Sequence, residues 1–319
     1  MLLLSIIAAI ELKINAVELD VVEAFVRNEK DFPIAFLLPN TPFSGMKEDT
    51  LQVLQNETRV KFVGQLVKWD FSNVKTISKI MQAGEIWRQK VEVSKLYHTY
   101  IGAADIKLSF PYRECNIKDN KVTSCETSSV NLQSTVSISL DVKTHQRHKG
   151  VVPDYSTKKC YFMKWIHAKY AIRKFHQIQV KAISDLQKGP STSFHKYFGT
   201  ANTTEVLKTF QKTKNYKFNV ECNNPDCNTM QGTVAFVYPD QPTIFVCPLF
   251  HTATYTGYNS KPGVLVHEST HFLATSYTTD IASGVLETSK LGTDDPELAI
   301  TNADNYEYFA ESLFYNLPN

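Results

Sequence analysis

The sequence predicts an α+β chain in two parts: a β-rich N-terminal half resembling an antiparallel sandwich, and a mainly helical C-terminal half with a small sheet. Three observations carry this. Val136, Ile138, Leu140 and Val142 alternate with Ser137, Ser139 and Asp141, the period of a half-buried strand. From Cys160 the period changes, and Trp165, Ile166, Ala168, Ile172, Phe175, Ile178, Ile183 and Leu186 recur at helical spacing until Gly189-Pro190 stops the run. Between them, residues 144–154 are polar and basic and contain Gly150 and Pro153, the composition of a linker.

At 319 residues the chain is long enough for two domains, and 43% hydrophobic with 21% charged residues describe a folded globular protein. The formal charge of +2 is too small to argue for nucleic acid or an anionic surface as partner.

Taken in order, residues 2–10 form an apolar stretch too short to span a bilayer and placed where a secretory signal belongs. Cleavage near Ala16 is expected, which makes residues 1–16 a leader; the alternative is a buried N-terminal strand. No later segment is apolar enough for a membrane span. Residues 17–143 form the β-rich domain, in which Val60 with Phe62, Val91 with Val93, and Ile106 with Leu108 give shorter alternations. Cys115 and Cys125 enclose a polar loop and can tie a hairpin end. This half offers no plausible site.

In the second half, Asn202-Thr203-Thr204 is both an N-cap for a helix around Glu205 and a glycosylation acceptor, as is Asn56-Glu57-Thr58. Residues 233–238 and 243–246 read as a hairpin, which could pair with an extended polypeptide by strand addition. An even cysteine count behind a secretion signal favours disulfides. Spacing leaves three pairings open for Cys160, Cys222, Cys227 and Cys247. The last helix, residues 296–317, has Ala303, Tyr306, Ala310, Leu313 and Phe314 on its apolar face. Asp304, Glu307 and Glu311 lie on another face, which periodicity alone describes as solvated.

The chemistry concentrates at His267-Glu268-Ser269-Thr270-His271. Histidines four apart on a helix project from one face and can close on a single Zn²⁺, with Glu268 beside them as a carboxylate outside the ligand set. The flanking Val264, Leu265, Val266, Phe272, Leu273 and Ala274 would bury such a helix. A catalytic zinc needs a third protein ligand and an open position. No histidine follows His271, and the carboxylates available before the last helix are Asp280, Glu287, Asp294, Asp295 and Glu297.

These residues resemble the deuterolysin and peptidyl-lysine metalloendopeptidase group, the aspzincins, whose third ligand is the aspartate of a Gly-Thr-x-Asp-x-x-Tyr-Gly stretch. Two segments compare with it: Tyr277-Thr278-Thr279-Asp280-Ile281-Ala282-Ser283-Gly284, and Gly292-Thr293-Asp294-Asp295. Asp280 is preferred because the likeness continues in register into Asp295-Pro296-Glu297 and the segment from Asn302 to Phe309. Asp295 before Pro296 also has the character of a helix start.

The resemblance spans most of residues 160–316. It implies a zincin-like peptidase domain over residues 159–319, with one zinc per chain on His267, His271 and Asp280, and Glu268 as general base. It implies disulfides Cys160–Cys222 and Cys227–Cys247. It further implies a pocket lined by Asp304 and Glu307 that takes lysine just after the cut, polypeptides as substrates, and a secreted, extracellular, monomeric zymogen. Its N-terminal domain would act as an intramolecular propeptide, released at a processing linker over residues 144–158.

One departure stands out. The tyrosine that helps stabilise the oxyanion in the family is Ser283 here, so Tyr277 is the candidate to replace it. The departure supports a second reading, a zinc-binding but weakly catalytic secreted protein that recognises lysine-rich polypeptides. Intact Glu268 argues for the enzyme, since a pure binding protein has no use for it.

Overall fold

β-Branched and aromatic residues at alternate positions make the first part of the chain a series of antiparallel strands. In this computed structural model the described residues are 10–45, 48–99, 101–126, 130–140, 155–228 and 232–318. They divide into two units: Met1–Gln65, Ser72–Gln146 and Thr229–Gly232 in one, and Leu66–Phe71, Arg147–Asn228 and Thr233–Asn319 in the other.

The first unit contains β1 (Ile10–Glu18), β2 (Val21–Asn28), β3 (Ile34–Leu37), β4 (Leu51–Gln55) and β5 (Thr58–Arg59). In the second unit lies β6 (Leu66–Trp69). The first unit resumes with β7 (Ser78–Met81), β8 (Ile86–Glu92), the helical turn α1 (Val93–Leu96), β9 (Gly102–Tyr112), β10 (Cys115–Lys118), β11 (Lys121–Cys125) and β12 (Val130–Leu140). The sheets run β1-β2-β8, β12-β9-β4-β5, β3-β7 and β10-β11, with antiparallel pairing throughout. Ile10, Val26, Ile34, Phe36, Leu38, Met81, Phe110 and Tyr112 form one core cluster across several of these strands. Cys115–Cys125 closes the β10–β11 hairpin, as expected.

Several boundaries differ from the sequence expectation. Residues 1–9 of the leader segment lie outside the described residues, and Ile10 to Ala16 pair with β2, with Ile10 and Ile14 buried. Val93 opens α1 instead of continuing its strand. The linker falls on residues outside the description up to 154, but Ser156–Lys158 is a strand of the second unit, so the linker stops short of 158. The largest difference is that Leu66–Phe71, expected within the N-terminal domain, belongs to the second unit.

That unit has a mixed five-stranded sheet ordered β13 (Ser156–Lys158), β14 (Asn219–Cys222), β16 (Thr243–Val246), β15 (Thr233–Val237) and β6. β13, β14 and β16 are parallel, whereas β15 is antiparallel to both its neighbours. Its helices are α2 (Met163–Leu186), α3 (Thr192–Phe198), α4 (Thr203–Asn215), α5 (Pro248–Thr252), α6 (Lys261–Thr270), α7 (Val285–Asp294), α8 (Pro296–Ala299) and α9 (Ala303–Tyr315).

Side-chain oxygens of Ser191, Asn202 and Ser260 accept from backbone N–H groups and start α3, α4 and α6. On α2 the buried stripe begins at Ala168, while Trp165 and Ile166 are exposed rather than core. Cys160–Cys222 and Cys227–Cys247 are the pairs formed. Among the described residues no helix is long and apolar enough to cross a membrane.

Candidate metal centre

Every residue of α6 is buried, and its entry is fixed from below by α9. Glu311 accepts from the N–H groups of Asn259 at 3.0 Å and Ser260 at 2.8 Å, and from the Ser260 hydroxyl at 2.6 Å. A Cβ at Gly263 would stand 1.8 Å from Glu311 Oε1, so the seat of the Glu311 carboxylate against α6 requires glycine there. Four residues on, His267 lies in the last turn, and His271 caps the helix with right-handed helical dihedrals. This keeps both rings on one side, with their Nε2 atoms 3.1 Å apart.

The chain then turns back. Thr278 donates its N–H to the Thr270 carbonyl at 3.2 Å, and the two threonine hydroxyls meet at 2.6 Å. The Thr278 carbonyl lies 2.8 Å from His271 Nδ1, which as donor leaves Nε2 the lone pair for an ion. Asn302 clamps the next residues, accepting from the N–H groups of Ile281 at 2.7 Å and Ala282 at 3.1 Å and donating to the Ala282 carbonyl at 3.0 Å. Asp280 is thereby presented to the histidines, its Oδ1 3.1 Å from His267 Nε2 and its Oδ2 3.5 Å from His271 Nε2.

Ligand atoms about 2.0–2.2 Å from one tetrahedral ion stand roughly 3.3–3.6 Å from each other, and the three separations here span 3.1–3.5 Å. Electrostatics agree. Burial holds His271 neutral, its pKa down to about 4. Burial would raise Asp280, but His271 and His267 outweigh it and keep the carboxyl below its ordinary range. Burial would likewise lower His267, but Asp280 outweighs it and pulls the imidazole toward its charged form. The cluster favours positive charge between its members. Beside it, both Glu268 oxygens are buried with no hydrogen-bond partner among the described residues, an arrangement that is costly unless a polar ligand faces them.

On the far side of His267, its Nδ1 is 2.7 Å from Asp304 Oδ1 and 3.4 Å from Glu307 Oε2. The first contact is as short as a charge-assisted hydrogen bond. Asp304 Oδ2 accepts the Gly284 N–H at 3.1 Å. Between these carboxylates sits the Lys68 ammonium of β6, 2.5 Å from Asp304 Oδ1, 2.7 Å from Glu307 Oε2 and 5.2 Å from the centre of the Tyr308 ring. Burial alone would lower its pKa; the two carboxylates outweigh that and hold it well above the ordinary lysine value.

His267, Glu268, His271, Asp280, Asp304 and Glu307 are thus brought together. Asp295 is elsewhere, capping α8 by accepting from Leu298 N–H at 3.0 Å. Tyr277, with φ 53°, and Ser283 each stand one residue from a backbone group that holds a site residue, Thr278 and Gly284.

Two expectations fail. The single helix over 296–317 is broken into α8 and α9, because Asn302 stays extended to clamp the Asp280 loop. The acidic face of α9 is not solvated: Asp304, Glu307 and Glu311 are all buried. Lys68 was missed altogether. Its signal was a lone charge in the otherwise apolar run Leu66-Val67-Lys68-Trp69.

A helix-borne histidine pair, an aspartate returning from the following loop and an adjacent buried glutamate are the arrangement of a zinc-peptidase centre. Comparison with known proteins gives the family. The family described as lysine-specific metallo-endopeptidase, Aspzincin_M35, matches residues 184–311. A peptidyl-Lys metalloendopeptidase of Pleurotus ostreatus is 34% identical over 126 residues, covering 38% of this chain and 74% of that protein. Another from Grifola frondosa is 38% identical over 123 residues, covering 38% of this chain and 35% of that protein. An extracellular protease of Aeromonas hydrophila is 44% identical over 88 residues, covering 27% of this chain and 25% of its own. The solved zinc peptidase from Grifola frondosa shares 30% identity, with 48% of this chain and 97% of that chain covered and a TM-score of 0.45. The chain belongs to the aspzincin family. It spans 25% and 35% of the Aeromonas and Grifola curated relatives' own lengths.

Proposed function

We propose that the protein is a secreted zinc metalloendopeptidase that cuts polypeptides on the amino side of lysine. The observation that carries it is the convergence of His267, His271 and Asp280 donor atoms within 3.5 Å of one another beside the unpartnered carboxylate of Glu268. Zinc bound there would polarise the scissile carbonyl and acidify the attacking water. Glu268 takes a proton from that water and passes one to the leaving amine. Burial pushes its carboxyl well above the ordinary range, and a cation on the neighbouring ligands would draw it back toward the carboxylate that accepts the proton.

Asp304 and Glu307 bind the lysine ammonium by charge-assisted hydrogen bonds, and Asp304 also orients His267. Tyr277 and Ser283 are the side chains proposed to donate to the oxyanion; loss of one such donor costs on the order of a hundredfold in rate. The N-terminal domain acts as an intramolecular propeptide of a monomeric zymogen, processed in the linker after residue 143.

The test is metal analysis plus digestion of an unstructured protein by the chain after cleavage in its linker, with Glu268→Gln cleaved in the same way as control. One zinc per chain and new N-termini beginning with lysine are expected, and Glu268→Gln should be inactive while retaining zinc. Wild type and Glu268→Gln behaving alike would remove the peptidase. Ser283 in the tyrosine position favours the second reading, a weakly catalytic lysine-binding protein, and that same outcome with zinc bound would select it.

A further inference from the structure

The ammonium between Asp304 and Glu307 comes from the chain itself. β6 lies antiparallel on β15, with Lys68 opposite Ala235, Val67 opposite Phe236 and Leu66 opposite Val237. It is the outermost strand of the sheet, on the edge where β15 would otherwise be open to strand addition. All four of its residues are buried. The segment Leu66–Phe71 belongs to the peptidase unit, yet the chain on both sides of it belongs to the other unit.

An apolar residue would pack such a strand at lower cost than a lysine, whose charge must be desolvated. The lysine is repaid by two carboxylates, one of which also touches a proposed metal ligand. A strand added to the sheet edge by backbone pairing, with a lysine delivered into an acidic pocket beside His267, is how a lysine-bearing substrate would be held.

We infer that Leu66–Trp69 is an internal pseudosubstrate, a strand that occupies the substrate's place on β15 and fills the lysine pocket with Lys68, keeping the uncut chain inactive. The inference rests on the reading of Asp304 and Glu307 as the lysine pocket. It also says why processing would activate. Cutting the chain between this segment and the peptidase turns a tethered competitor into a separate one, whose effective concentration then falls with dilution.

The experiment uses the full-length chain, verified uncut by intact mass, and a quenched peptide containing one lysine. Lys68→Ala should raise kcat/KM by about tenfold or more, since a tethered competitor acts at roughly millimolar concentration. n-Butylammonium should bind the opened pocket, raising the Tm of Lys68→Ala and inhibiting it, whereas n-butanol should not. If butylammonium binds but hydrolysis stays at the wild-type level, the pseudosubstrate inference is overturned and the lysine pocket stands. If folded Lys68→Ala ignores butylammonium, the lysine pocket is wrong and the inference falls with it. Activity no higher than that of Glu268→Gln in every chain sinks the peptidase reading as well. Where Lys68→Ala does not fold, Val67→Pro keeps the ammonium but weakens the added strand: faster hydrolysis by the uncut chain supports the inference, and an unchanged rate overturns it.

Discussion

Asp304 and Glu307 face the same ammonium but do different work, and paired substitutions should separate them. Asp304 Oδ1 is 2.5 Å from Lys68 Nζ and 2.7 Å from His267 Nδ1, whereas Glu307 Oε2 is 2.7 Å from the ammonium and 3.4 Å from the imidazole. Glu307→Gln removes one charge-assisted hydrogen bond to a lysine, worth about 1.5–3 kcal/mol, or roughly 10- to 100-fold in kcat/KM. Its zinc affinity should hardly change. Asp304→Asn should lose a similar factor for lysine and, in addition, about 10- to 100-fold in zinc affinity, the usual loss when the partner of a ligating histidine is removed. The assay, run in the Lys68→Ala chain so that the pocket is open, compares matched peptides with lysine or norleucine after the cut, and titrates zinc against a competing chelator. Equal losses on both peptides would refute the lysine pocket, and unchanged zinc affinity in Asp304→Asn would refute its hold on His267.

Other outcomes follow from the same contacts. Asn302→Ala should release the 280–282 loop and weaken zinc binding by about tenfold or more with little change in the far-UV spectrum, as checked by chelator competition and circular dichroism; unchanged affinity would show the clamp to be idle. Gly263→Ala places a methyl 1.8 Å from Glu311 Oε1 and should destabilise the chain by about 1–3 kcal/mol in denaturant titration. Burial raises the Asp49 carboxyl to about 6, against the pull of the Arg59 guanidinium and the Tyr97 hydroxyl. The folded chain therefore holds more protons there than the unfolded chain between pH 3.8 and about 6, so this group's contribution to stability falls as pH rises through that window, by up to about 3 kcal/mol. Asp49→Asn should flatten that part of the pH–stability curve, and a curve parallel to wild type would contradict it.

What was legible in the sequence was what local pattern dictates. The His267–His271 spacing fixes two rings on one helix face, and the alternation in β9 and β12 fixes a half-buried sheet. The two disulfide pairs of the second half and the pocket acids came from family resemblance, since spacing left three pairings and periodicity put the acids in solvent. Periodicity failed at α9 because it counts charges without their partners. Glu311 is buried because it answers backbone donors at the start of α6, some fifty residues away in sequence. Asn302 breaks the helix for a contact with residues 281 and 282, which no local rule contains. Lys68 escaped for the same reason: its carboxylates lie 236 and 239 residues downstream.

A single ion on His267, His271 and Asp280 would show in anomalous diffraction at the zinc edge from zinc-loaded crystals. One strong peak is expected, about 2.0–2.2 Å from both Nε2 atoms and an Asp280 oxygen, with Glu268 outside bonding distance. A peak that leaves Asp280 unbound, or that takes Glu268 as a ligand, would contradict this ligand set.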